Sequence, residues 1–226
     1  MSTKTRIHRI VLACLLWTFA SSALFAAEVA EDRFDGLVPV ENAKVAMAYI
    51  DPKADFSVFQ RVAILDPFVA FRSNWQRDQN RSRSRNIRAS DMERIKSDVA
   101  YLFKDVFIER LEAAGYEVVN ETGDDVLVLR PAITDLDITA PDTRSAGRSR
   151  THTASGGAAT LYIELVDSVS GDLIGRAADR QAARRGGSVT WANRVTNRAD
   201  ARRMFGGWAD QLIGFLDQTY GVKGKK

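Results

Sequence analysis

Asp135 and Asp137 stand two residues apart in an apolar run over residues 126–138. Residues two apart on a strand share a face, so the two carboxylates form a candidate acid–base couple for an envelope hydrolase. Glu164 and Asp167 make a second close pair. The plainer reading of both is the solvent side of a half-buried strand, because strand alternation alone explains such spacing. A glycosidase also needs a cleft between its carboxylates.

Other chemistries lack parts. The histidines are His8, near the start, and His152, in a polar stretch; the sole cysteine is Cys14. Zinc sites take several His or Cys ligands, so no metal is expected. The chain has no G-x-S-x-G elbow and no S-x-x-K pair. A Ser–His–Asp arrangement would rest on His152 alone, without the third group that holds such a base. The glycine pairs Gly156-Gly157, Gly186-Gly187 and Gly206-Gly207 are isolated, with no phosphate-cradling pattern after a strand. No cofactor is expected.

The conspicuous polar feature is cationic. Arg72, Arg77, Arg81, Arg83, Arg85 and Arg88 fall within residues 72–89, opposed only by Asp78. A stretch this polar is expected as a long exposed loop. As a functional element it would bind an anionic partner, with Trp75 as anchor, since Arg and aromatics dominate interface hot spots. The plainer alternative is a solvating loop.

The elements around these residues are read from pattern. Residues 28–59 read as an irregular leader in which 45–50 suit a short edge strand. A strand is expected over 61–71, where Pro67 demands a bulge, an edge or an end. Ser90 and Glu93 predict a capping box for a helix over 91–114. Its stripe is Ile95, Val99, Leu102, Phe103, Val106, Phe107 and Leu111, and Gly115 ends it. Strands are expected at 116–119 and 126–138, the latter interrupted by Pro131, and a loop over 139–157. A hairpin over 161–184 turns through Asp167 to Gly171. Its return strand is rich in Ala and Arg, so one face must be closely covered or wet. A last helix is expected from Asn197, a good N-cap, with Met204, Phe205, Trp208, Leu212, Phe215 and Leu216 inward. Gly206 and Gly207 inside it suggest close approach to the sheet or a partner. The order predicts an α/β (α+β) fold: two helices on one face of a mixed, largely antiparallel sheet of about five strands.

The first 27 residues look like an address. Lys4, Arg6 and Arg9 precede an apolar run from Ile10 to Phe25, and small residues Ala26 and Ala27 follow. This is the pattern of a secretory signal peptide, and it is short of the ~20 apolar residues of a spanning helix. An uncleaved anchor is the alternative. The full chain carries 32 Lys+Arg against 29 Asp+Glu. Removal of the leader takes three of those cations and balances the charge, so the basicity of the whole chain is no sign of a nucleic-acid partner. Removal also takes Cys14, leaving a chain that folds without disulfides. Cys14 precedes most of the apolar run, which is the wrong side for lipidation. The expected organisation is a signal peptide over 1–27, the irregular leader over 28–59, one α/β domain over 60–221 and a basic tail over 222–226.

Short motifs run along this frame. They are Asp35-Gly36-Leu37, Tyr49-Ile50-Asp51-Pro52, Ile64-Leu65-Asp66-Pro67, Gly115-Tyr116-Glu117-Val118-Val119, Asp125-Val126-Leu127 and Ala132-Ile133-Thr134-Asp135. The Asp167 to Gly171 hairpin, Trp191 and Trp208-Ala209 complete the set. Together they resemble DUF3313, an uncharacterised family of bacterial envelope proteins, many of them lipoproteins. The plan is also similar to periplasmic accessory modules of the curli-secretion lipoprotein and peptidoglycan-synthase activator type. The resemblance implies binding to envelope partners and brings no catalytic residue. The chain departs from the lipoprotein majority in having no convincing lipidation cysteine.

The expectation is therefore a non-catalytic periplasmic interaction or assembly protein. Its candidate partner-binding residues are Arg72, Trp75, Arg77, Arg81, Arg83, Arg85 and Arg88. Its partner would be an envelope protein or an anionic envelope component, and an open sheet edge is a second candidate surface. Membrane association is expected only with lipidation or an uncleaved leader. The alternatives are a hydrolase using Asp135 and Asp137, and a small-ligand binder with its pocket between helix and sheet.

Overall fold

A computed structural model describes residues 36–81, 86–138, 152–153, 155–184, 190–191 and 194–219. The expected signal peptide over 1–27, Arg83, Arg85, most of the loop expected over 139–157 and the tail over 222–226 lie outside the described residues. The chain divides into two compact units, Met1–Leu37 and Val38–Lys226. Every strand and helix among the described residues lies in the second unit, including strands from the stretch that the sequence marks as an irregular leader.

The strands are β1 (Val38–Pro39), β2 (Met47–Ile50), β3 (Arg61–Ile64), β4 (Phe68–Phe71), β5 (Glu117–Val119) and β6 (Val126–Asp137). They continue with β7 (His152–Thr153), β8 (Ser155–Asp167), β9 (Leu173–Arg184) and β10 (Thr190–Trp191). The α-helices among the described residues are α1 (Trp75–Arg81), α2 (Ala89–Ala113) and α3 (Arg194–Thr219). Eight strands form one sheet in the order β1-β2-β9-β8-β6-β3-β5, with β4 also on β6. This corrects the expected five: the single strand expected over 61–71 is divided at Pro67 into β3 and β4, and β2 and the two-residue β1 extend the sheet at one end. The sheet is antiparallel from β1 through β6 and parallel where β6 meets β3 and β4 and where β3 meets β5.

The two prolines explain the sheet's junction. Pro67 separates β3 from β4. Both pair with β6, β3 along Val126 to Leu129 and β4 from Ala132 onward. The Leu129 carbonyl accepts from the Leu65 N–H at 3.0 Å on that edge. Alternation turns the Pro131 nitrogen to the same edge, in the gap between the two partners. A residue without an N–H thus sits where the sheet has no acceptor for one.

Burial follows the expected stripes. On β8, Leu161, Ile163 and Leu165 are buried while Tyr162 faces out. Leu102, Phe103, Val106, Phe107 and Leu111 of α2 are buried, as are Met204, Phe205, Trp208 and Leu216 of α3. Phe103 meets Phe205 edge to face at 5.5 Å, joining the two long helices. Arg202 reinforces the pair through Asp105 at 2.6 Å and through Glu109. The Tyr116 hydroxyl donates to Asp217 at 2.9 Å.

The helix starts differ from expectation. In α2 the Arg88 N–H donates to Asp91 Oδ2 at 3.1 Å, so Asp91 closes the first turn. Ser90 lies inside the helix and Glu93 pairs with Lys96 at 2.8 Å. Two acidic residues two apart both suit the first turn, and the start at Ala89 selects the earlier one. Helix α3 begins at Arg194, three residues before Asn197. His152, expected in a loop, belongs to the two-residue strand β7, paired with β10.

Candidate functional site

Where it is described, the arginine-rich segment is no open loop. Its first half is helix α1, and the sequence's polar count hid two apolar residues that pin it down. Trp75 is 1% exposed. Its ring stacks on Phe71 at 4.0 Å between centroids, and its Nε1 donates to the Ile138 carbonyl at 2.8 Å. Ile87 is also buried, and Met92 and Ile95 pack against this pair from α2. Gln76 Nε2 donates to the Ile87 carbonyl at 2.8 Å, and the Ile87 N–H donates to Asn80 Oδ1 at 2.7 Å. Trp75 is therefore a core residue, which corrects its assignment as a surface anchor.

The arginines divide by role. Arg72 donates from Nη1 to Asp78 Oδ2 at 2.8 Å, and its Nε lies 3.0 Å from Asp137 Oδ2. Those two carboxylates raise its pKa further, Asp78 contributing most. Arg77 and Arg81 project outward, their side chains 62% and 69% exposed. They reach Asp78 only at 3.8 and 3.6 Å. Asp78, hydrogen-bonded to Arg72 and ringed by the other two, is held below the ordinary carboxylate value. Asp78 is thus shared by three arginines, of which Arg72 also pairs with Asp137. Arg77 and Lys96 also line a cleft of about 480 Å³ beside Trp75 and Met92. Arg88 is exposed at the start of α2.

The carboxylate pairs are drawn apart. The β6–β8 register shifts between Thr134 and Asp137, and Asp135 adopts a positive φ of 49°. Such a bulge breaks the rule that puts residues two apart on one face. Asp135 accepts from Thr160 Oγ1 at 3.4 Å, whereas Asp137 pairs with Arg72. Glu164 sits between its register partners Arg130 and Arg176 and binds them at 2.9 and 3.1 Å. Asp167 instead accepts the N–H groups of Val169 and Ser170 and shapes the hairpin turn. Each acid is committed to a structural partner, and nothing in this geometry points to catalysis. Among the described residues no group of His, Cys, Asp and Glu is arranged to hold a metal ion. Among the described residues no helix is long and apolar enough to cross a membrane.

A second site lies between α3 and the sheet. A cavity of about 380 Å³ opens beside β2, β8 and β9, under the 40–45 turn. Ile163 and Leu165 of β8 and Trp208, Leu212 and Phe215 of α3 form apolar walls. The alanines of β9 signal it in the sequence, since they leave room where larger residues would close the layer. Gly207 approaches the same strand: a Cβ there would lie 3.7 Å from Gln181 Oε1. Gly206 faces α2, where a Cβ would lie 3.3 Å from the Arg110 guanidinium.

The family model described as "Protein of unknown function (DUF3313)" matches residues 26–212. No curated protein matches the chain. Solved structures show weak likeness. A DUF330 protein from Xanthomonas campestris is 14% identical, with 80% of this chain and 93% of that chain covered, at a TM-score of 0.41. The PelC dodecamer from Paraburkholderia phytofirmans is 10% identical over 68% and 89%, at 0.35. A minor lipoprotein from Acinetobacter baumannii is 12% identical over 72% and 94%, at 0.32.

Proposed function

The chain belongs to the DUF3313 family, and from that premise we propose that it is a non-catalytic cell-envelope protein that works by holding an acidic partner. The observation that carries this reading is the charge surplus around Asp78. Arg72 takes the close hydrogen bond, and Arg77 and Arg81 are left outward with only distant neutralisation. An acidic surface docking there would supply carboxylates beyond the single Asp78 of α1. Arg side chains suit that role because their planar donors engage carboxylates in pairs. Arg83 and Arg85 follow directly in sequence and extend the same basic stretch. The leader supports an exported address, and the mass of the N-terminus recovered from the envelope fraction tests it.

The partner surface is tested by replacing Arg77, Arg81, Arg83 and Arg85 with Ser. Cross-linked envelope partners should be recovered less from the variant, with thermal unfolding unchanged. Equal recovery from variant and parent would remove this segment from the reading.

A further inference from the structure

The cavity under α3 is a concave pocket partly open to solvent, with its apolar walls on β8 and α3. At about 380 Å³ it falls among small-molecule pockets, which span about 300–1,000 Å³. Small residues create it. Ala48 and Ala177 recess the sheet side, and Gly214 recesses the helix. A Cβ built on Gly214 meets nothing within 4 Å.

The charges of Arg176, Asp210 and Asp179 that line the cavity are already engaged, while Glu41 and Lys44, which also line it, are exposed on the 40–45 turn. Arg176 pairs with Glu164 at 3.1 Å and Asp210 with Arg110 at 3.3 Å. Asp179 accepts from Trp208 Nε1 at 2.9 Å and from the Ala46 N–H at 3.2 Å. A charged guest would find its counter-ions on β9 and α3 already paired. One polar atom of the lining residues is unmet: Gln211 Oε1 is buried and has no donor. A buried acceptor without a partner is a standing cost that a ligand's donor removes.

We propose that this cavity is a binding site for a small, uncharged, mostly apolar molecule carrying one N–H or O–H donor. Its body lies against Leu212 and Phe215, and its donor is received by Gln211 after a turn of the amide. This site is independent of the arginine surface and shares no residue with it.

N-phenyl-1-naphthylamine has this chemistry, and its fluorescence rises in dry surroundings. The purified full chain should bind it saturably at one molecule per chain. Gly214→Leu fills the void and should abolish the signal; Ala177→Leu fills it from the sheet side if the first variant fails to fold. Gln211→Leu should weaken the probe about tenfold while leaving 1-phenylnaphthalene, which lacks the donor, unchanged. No saturable signal from the parent, or full binding by a folded filled variant, overturns the site. Equal weakening of both probes by Gln211→Leu overturns the donor assignment.

Discussion

Trp208 Nε1 donates to Asp179 Oδ2 at 2.9 Å, tying the middle of the last helix to the ninth strand. The same carboxylate accepts from Gln181 Nε2 at 3.0 Å, and its other oxygen takes the Ala46 N–H at 3.2 Å. One aspartate thereby holds a helix, its own strand and the segment leading into β2. The indole is 2% exposed, so water cannot replace the acceptor.

Asp179→Ala should therefore destabilise the fold by roughly 1–3 kcal/mol, the cost of a buried donor left unpaired. In a Trp208→Phe background the donor is absent, and the added cost of Asp179→Ala should shrink. Urea unfolding of the two single variants and the double variant measures the coupling. Strict additivity would show that the bond contributes nothing.

Trp75→Ala should cost about 3–5 kcal/mol, because it empties a buried aromatic site and leaves the Ile138 carbonyl without its donor. Arg81→Ala, seven-tenths exposed, should change stability by less than about 1 kcal/mol. Denaturant midpoints of the two variants separate a core tryptophan from a surface anchor. Matching midpoints would return Trp75 to the surface.

Acid should weaken the fold through Asp125. Arg61 donates to it from Nη2 at 2.7 Å and from Nε at 3.0 Å. That bond holds the Asp125 carboxyl below its ordinary value of 3.8. A carboxylate depressed in the folded state stabilises fully above its unfolded pKa, and the contribution disappears as pH falls through the folded value. The parent should therefore lose stability below about pH 4, and Asp125→Asn should lose less over the same interval. Urea midpoints between about pH 2 and 6 give the comparison. Identical slopes would exclude the pair as a source of acid sensitivity.

The long elements are legible because their information is local. The α2 stripe from Leu102 to Leu111 repeats at helical steps, and β8 alternates through Leu161, Ile163 and Leu165. Pro67 marks a strand boundary that any fold must respect. The same inventory, with one cysteine and two histidines, narrows the chemistry before any geometry is known.

Tertiary structure decided the rest, because the deciding partners are far apart in the chain. Trp75 is core rather than anchor only because Ile138, 63 residues on, brings a carbonyl to its indole. Asp135 and Asp137 part because a bulge rotates the strand between them, and a bulge leaves no periodicity to read. Alanines at 48 and 177 are small in any sequence; they become a cavity wall only when Gly214 and Leu212 stand across from them. Local patterns determine which face of an element is apolar, and only the assembled layers determine whether that face is filled.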